Sequence, residues 1–274
     1  MMRLVIQCSS RQPDRKKNFI NQPLISMKKL FTLFICGLLA VTTAFADGPF
    51  RNHRFDSFKV LEPAEGSIVF IGNSITDMHC WPEAFMTSEG KYLPIVNRGN
   101  SGTYSTEQSD NLESYIKNKP SKVFMMIGTN DIATSGGLNF SGEQVLAYVK
   151  SIVERIHARS PQTKIYLYSI LNNRTSNRVE ATWLHTNSIV KEYVATKNVE
   201  WLTYIDLYDK LTNVANGGAW SYDYLHLTGA AYEVWCQEIC KYLAEGEDYT
   251  VNTVYPGNSS SKQNNGGLGS AHGM

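Results

Sequence analysis

Between residues 67 and 243, short apolar runs alternate with longer amphipathic ones. Ser67-Ile68-Val69-Phe70-Ile71 is almost wholly apolar and stops at Gly72, the pattern of a strand covered on both faces. Residues 95–97 form a second such run, 122–127 a third, 164–169 a fourth and 199–205 a fifth. Helical patterns lie between them. Residues 106–118 put Leu112, Tyr115 and Ile116 on one face, while 141–160 repeat Val145, Tyr148, Val149, Ile152, Val153 and Ile156 at i, i+3, i+4 spacing, with Pro161 beyond the end. Residues 178–197 and 229–243 supply two more helices. Strands separated by helices of this length predict parallel pairing through crossovers. The expected fold is a single doubly wound, flavodoxin-like, three-layer α/β/α domain with a five-stranded parallel sheet.

The chain before this region has a different character. Met27-Lys28-Lys29 opens an apolar stretch, residues 30–41, that ends in Ala44-Phe45-Ala46 ahead of Asp47. A basic start, an apolar run of roughly 12 residues and an Ala-x-Ala site are the parts of a secretory signal peptide. Residues 27–46 are therefore expected to be removed after Ala46, and 1–26 to be an upstream extension of a chain whose translation starts at Met27. The apolar run falls short of the ~20 residues that span a bilayer, and no second run follows. Ile35 precedes Cys36 where lipoprotein signals have Gly or Ala, which argues against a lipid anchor. The expectation is export to the periplasm or the extracellular space without stable membrane insertion, with one domain over 47–245 and a Gly-, Ser- and Asn-rich flexible tail over 246–274.

Composition changes this picture at two points. The 274 residues are 42% hydrophobic and 19% charged, ordinary for a globular protein, and their formal net charge is +1. That charge conceals an asymmetry. The first 46 residues hold seven Lys or Arg and one acidic residue, Asp14, which leaves 19 basic against 24 acidic residues beyond them, with no long basic run. This balance argues against nucleic acid as a partner. Loss of residues 1–46, with Cys8 and Cys36, also leaves three cysteines, Cys80, Cys236 and Cys240, an odd number. Cys236 and Cys240 lie four apart on a helical pattern, where a bridge is conceivable and two buried thiols are the simpler reading. No pair of CxxC motifs offers structural zinc.

In an open parallel sheet, ligands bind beyond the carboxyl ends of the strands. Four loops there carry polar groups that make sense together. Gly72-Asn73-Ser74-Ile75-Thr76 places Ser74 at a helix start, where backbone N–H groups point outward. By itself it also reads as a turn with an N-cap, and Thr76 replaces the second glycine of a G-x-S-x-G elbow. Asn97-Arg98-Gly99-Asn100-Ser101-Gly102-Thr103 allows close backbone approach. In Gly128-Thr129-Asn130-Asp131, Asn130 is either an amide donor or a turn stabiliser. Asp223-Tyr224-Leu225-His226-Leu227-Thr228-Gly229 can set a carboxylate against His Nδ1 just before the last helix.

These four blocks, in this order and spanning residues 67–243, resemble those of the SGNH hydrolases, or GDSL-like lipases and acylhydrolases, most of all the branch with acetylesterases and platelet-activating-factor acetylhydrolase subunits. The resemblance implies Ser74 as nucleophile and first oxyanion donor, Gly102 and Asn130 as further oxyanion donors, and His226 as a base oriented by Asp223. The family's Gly-Asp-Ser is Gly-Asn-Ser here, so Asn73 leaves open how the first loop is braced.

The chemistry so implied is acyl transfer: the acyl group moves to Ser74, the alcohol leaves, and water attacks with the same His as base. It needs no metal or cofactor. Trp81, Trp220, Tyr222 and Tyr224 lie near these blocks and could stack on sugar faces or pack beneath the loops. The expected substrate is a small-molecule or glycan ester, with removal of a short acyl group, acetyl foremost, from a carbohydrate. A lysophospholipase or thioesterase on the same triad and a non-catalytic glycan-binding protein are the alternatives.

Overall fold

The computed structural model describes residues 49–172, 175–215, 220, 221 and 223–254. The chain divides into two units, 1–43 and 44–274, and the described residues all belong to the second. The expected leader and extension, most of the tail, and Tyr222 lie outside the described residues.

Five strands make one sheet: β1 (Ile68–Gly72), β3 (Ile95–Gly99), β4 (Lys122–Met126), β5 (Lys164–Tyr168) and β6 (Leu202–Ile205). Their order is β3-β1-β4-β5-β6 and every pairing is parallel. Counted within the sheet this is the 2-1-3-4-5 order of a flavodoxin-like fold, whose ligand crevice opens where the winding reverses beside β1. The helices are α1 (Pro49–Val60), α2 (Ser74–Asp77), α3 (Ser105–Asp110), α4 (Glu113–Ile116), α5 (Gly142–Arg159), α6 (Glu180–Lys197), α7 (Leu207–Ala215) and α8 (Gly229–Leu243). Among the described residues no helix is long and apolar enough to cross a membrane.

Alternation along the strands divides the core in two. Val69, Ile71, Val123, Met125, Ile165 and Leu167 face α4, α5 and α6, whereas Ile68, Phe70, Phe124, Met126, Tyr166 and Tyr168 face α7 and α8. On the second face Phe70, Phe124 and Tyr166 stand in register on three adjacent strands and stack at 5.0 and 4.5 Å. Lys122 is buried at the start of β4, where its Nζ donates to the Leu243 carbonyl at 2.9 Å and pairs with Glu247 at 2.6 Å. A cation there satisfies the end of α8.

The structure corrects several boundaries. Residues 106–118 are two short helices, broken at residues 111–112, where the Leu112 N–H bonds the Ser109 carbonyl three residues back at 3.3 Å. Residues 199–201 belong to a turn after Asn198, whose left-handed backbone (φ 45°) ends α6. Tyr148 is only half-buried and stacks on Phe140. Within the expected tail, Val251–Thr253 forms a strand, β7, antiparallel to β2 (Phe85–Thr87). Cys236 and Cys240 are not bridged to each other; the Cys240 thiol donates to the Cys236 carbonyl.

Candidate active site

Ser74 is the first residue of α2, and Asn73 caps that helix by accepting the Ile75 N–H at 3.0 Å. An Asn oxygen does this as an Asp oxygen would. The helix then runs over Gly99, where an added Cβ would lie 2.3 Å from the Asp77 nitrogen, so no other residue fits beneath it. Asn97 ties down the far end. Its amide nitrogen lies 3.1–3.2 Å from the carbonyls of Thr76, Asp77 and His79, and its oxygen accepts the Gly99 N–H. Asp77 accepts from both the N–H and the hydroxyl of Ser101, at 3.1 and 2.7 Å, and pairs with Arg54 at 2.7 Å. The first loop is thus braced by Asp77 and Asn97 in addition to the Asn73 cap.

Gly102 has φ 76°, a left-handed conformation open to glycine. Its carbonyl accepts from Arg51 at 2.8 Å, and the Asn100 side chain bonds the Arg51 carbonyl at 3.0 Å. Helix α1, unread in the sequence, therefore clamps this loop. Gln108 closes it from beneath, donating to the Gly72 carbonyl at 2.6 Å and to the Thr103 hydroxyl at 2.9 Å.

Asn130 follows β4. Its Nδ2 donates to the Thr103 carbonyl at 3.0 Å and its Oδ1 accepts from Arg178 at 3.0 Å. Asp131 is fully buried and accepts from the N–H and the hydroxyl of Ser105, joining this loop to α3. Burial pushes its carboxyl up, against the opposing pull of those bonds.

The turn before α8 completes the site. Tyr224 adopts φ 67°, which lets the chain reverse within three residues. Asp223 Oδ1 accepts the N–H groups of Leu225 and His226 at 3.0 and 2.7 Å, while Oδ2 meets His226 Nδ1 at 2.6 Å. Burial alone would raise this carboxyl, but the two N–H groups and the imidazole outweigh it and hold it at about 2. His226 Nε2 then lies 2.8 Å from Ser74 Oγ. A carboxylate on one ring nitrogen leaves the other able to take the hydroxyl proton. Ser74, itself 7% exposed, thus meets His226 from 152 residues away.

The aromatic candidates separate sharply. Trp81 is 0% exposed, stacked on Phe70 at 4.5 Å with its Nε1 on the Thr76 carbonyl, so it packs the core and offers no face to a ligand. Trp220 is 7% exposed and belongs to the same core. Tyr224, 63% exposed, remains beside the site. Residues missed from the sequence are Arg51, Arg54, Asp77 and Arg178; they act across 51, 45, 24 and 48 positions respectively, where no local spacing signals them.

His79 is half-buried: it stacks on Tyr232 at 4.4 Å with Nε2 3.5 Å from Cys236 Sγ, and burial pulls it down to about 4. The unfolded chain takes up this proton near pH 6.5 and the folded chain only near 4, so folding stability is full above that window and lost as pH falls through it. The expected contribution is about 2–3 kcal/mol, below the full linkage value because water reaches part of the ring. Urea unfolding at pH 7 and 4.5 should show a smaller pH-dependent loss for His79→Gln than for the parent; equal losses would assign the effect elsewhere.

The sequence model of the GDSL-like lipase/acylhydrolase family matches residues 70–234. No curated protein sequence matches the chain. Among solved structures, a Streptococcus pneumonia protein named for platelet activating factor aligns at 22% identity and TM-score 0.64, over 76% of this chain and 99% of its own. A GDSL-like lipase of Bacteroides thetaiotaomicron aligns at 20% and 0.57, over 73% and 98%. A catalytic mutant of an acetylxylan esterase of Geobacillus stearothermophilus aligns at 19% and 0.52, over 69% and 98%. At these identities the likeness speaks for the fold, and the sequence match, which runs from β1 into α8 and takes in all four loops, speaks for descent: the chain belongs to the GDSL-like lipase/acylhydrolase family and is a carboxylic ester hydrolase.

Proposed function

We propose that this chain is an exported serine esterase that removes a short acyl group, acetyl foremost, from a carbohydrate ester. The observation that carries the reading is His226, held by Asp223 at 2.6 Å and facing the Ser74 hydroxyl at 2.8 Å. Ser74 attacks the ester carbonyl as His226 takes its proton. The developing oxyanion is received by the N–H groups of Ser74 and Gly102 and by Asn130 Nδ2, donors fixed before substrate arrives. His226 returns the proton to the leaving alcohol, then takes one from the water that attacks the acyl group and passes it to Ser74 Oγ as the acid leaves.

Three features favour a sugar ester. Tyr224, exposed between Asp223 and His226, offers a flat ring to a pyranose face. One structural neighbour acts on acetylxylan. Residues 27–46 have the form of an export signal. A fluorophosphonate probe should label Ser74. Turnover should be faster on p-nitrophenyl acetate than on the octanoyl ester, and acetylated xylooligosaccharides should release acetate. Faster turnover of the octanoyl ester would turn the assignment to a lysophospholipase or thioesterase, and absence of labelling would remove the nucleophile.

A further inference from the structure

Resting on the reading of Asn130 as an oxyanion donor, we infer that Arg178 is a positioning residue for the reaction: it fixes which end of the Asn130 amide faces the substrate. A side-chain amide has a donor end and an acceptor end of nearly equal shape. Turned the wrong way, Asn130 would present an oxygen to an oxyanion and oppose the reaction.

Two groups of opposite kind decide the orientation. The Thr103 carbonyl is only an acceptor and takes a hydrogen from Nδ2 at 3.0 Å. The Arg178 guanidinium is only a donor and gives one to Oδ1 at 3.0 Å. Both contacts are satisfied in one orientation and both are lost in the other. The second hydrogen of Nδ2 is then left for the substrate oxygen. The guanidinium is itself aimed: Nε donates to the Thr129 carbonyl at 2.8 Å, so one planar fork holds the backbone of residue 129 and the side chain of residue 130. Nη1 is anchored on Thr175 and Asn177 at 3.1 and 3.0 Å. A cation against the amide oxygen also draws electron density from the N–H, strengthening it as a donor to negative charge.

The loop carrying Arg178 has its own attachments. The Thr134 N–H and hydroxyl bond the Asn177 carbonyl at 2.8 and 3.1 Å, and Asn177 Nδ2 donates to the Ser135 carbonyl at 2.8 Å. These survive loss of the guanidinium, so its removal acts on Asn130 more than on the loop.

The test is a double-mutant cycle on p-nitrophenyl acetate with Asn130→Ala, Arg178→Met and both together. Asn130→Ala should lower kcat by about 10²- to 10³-fold. Arg178→Met should lower kcat by about 10- to 100-fold with KM changed less than about threefold, and should cost less than about threefold once Asn130 is Ala. Arg178→Lys, which keeps the charge and a single donor, should lose less than the Met variant, and again nothing further in the Asn130→Ala background. Guanidinium ion should restore part of the rate of Arg178→Met and none of the double variant. An equal cost of Arg178→Met or Arg178→Lys in both backgrounds, or no cost in the parent, overturns the role. A neutral Asn130→Ala overturns the oxyanion reading beneath it, a separate and distinguishable outcome.

Discussion

Ser74→Ala is expected to lower kcat/KM on p-nitrophenyl acetate by about 10⁴-fold or more, the cost of removing a nucleophile that acts as a unit with its base. The hydroxyl is the group 2.8 Å from His226 Nε2, so its removal leaves the base with no proton to take. The fold should be kept. The backbone of residue 74 serves α2 by accepting the Met78 N–H at 3.0 Å, and Ala forms this bond as well as Ser does. An unchanged thermal unfolding curve should therefore accompany the loss of turnover and of fluorophosphonate labelling. A Ser74→Ala protein with a tenth of the parent rate would have its nucleophile elsewhere.

Asp223→Asn is expected to reduce kcat by about 10³- to 10⁴-fold, through the tautomer of the imidazole. The carboxylate requires a hydrogen on His226 Nδ1 and so frees Nε2. An amide nitrogen placed there donates in its turn, moves the hydrogen to Nε2 and blocks proton transfer from Ser74. The effect in a buried triad is about 10⁴-fold. Here the Asp223 side chain is 52% exposed, so water takes over part of the orientation and the lower end of the range applies. Asp223 Oδ1 also accepts the N–H groups of Leu225 and His226, a role that the Asn oxygen retains, so the turn should hold. The rate of labelling by the fluorophosphonate should fall with kcat; labelling at the parent rate would show that Asp223 does not prepare the base.

Much of the site is written locally. The three-residue separation of Asp223 and His226 sets their contact because the Asp oxygen caps the very turn that carries the His. The glycine ahead of Asn73 and Ser74 and the Asn-Asp pair after β4 mark strand ends by their residue types, and α5 and α8 are announced by periodicity. Other features have no such signal. Trp81 and Trp220 flank the blocks and Tyr224 lies within one, yet the first two face the core and Tyr224 faces water, since a turn's rotation against the sheet decides which way a ring points. Helix α1 is weakly amphipathic and declares itself through Arg51 and Arg54, which work on a loop about 50 residues away.

Alone, then, the chain's order of residues determined the parallel α/β layering, the four loops and the pairing of Asp223 with His226, because periodicity, capping and short turns are settled between near neighbours. Only the folded arrangement decided that Ser74 meets His226, that Asp77 and Arg51 hold the loop of Gly102, and that Arg178 grips Asn130. Those contacts join segments that come together when parallel strands align their carboxyl ends along one edge, and crossover connections leave no local trace of which partner each end will find.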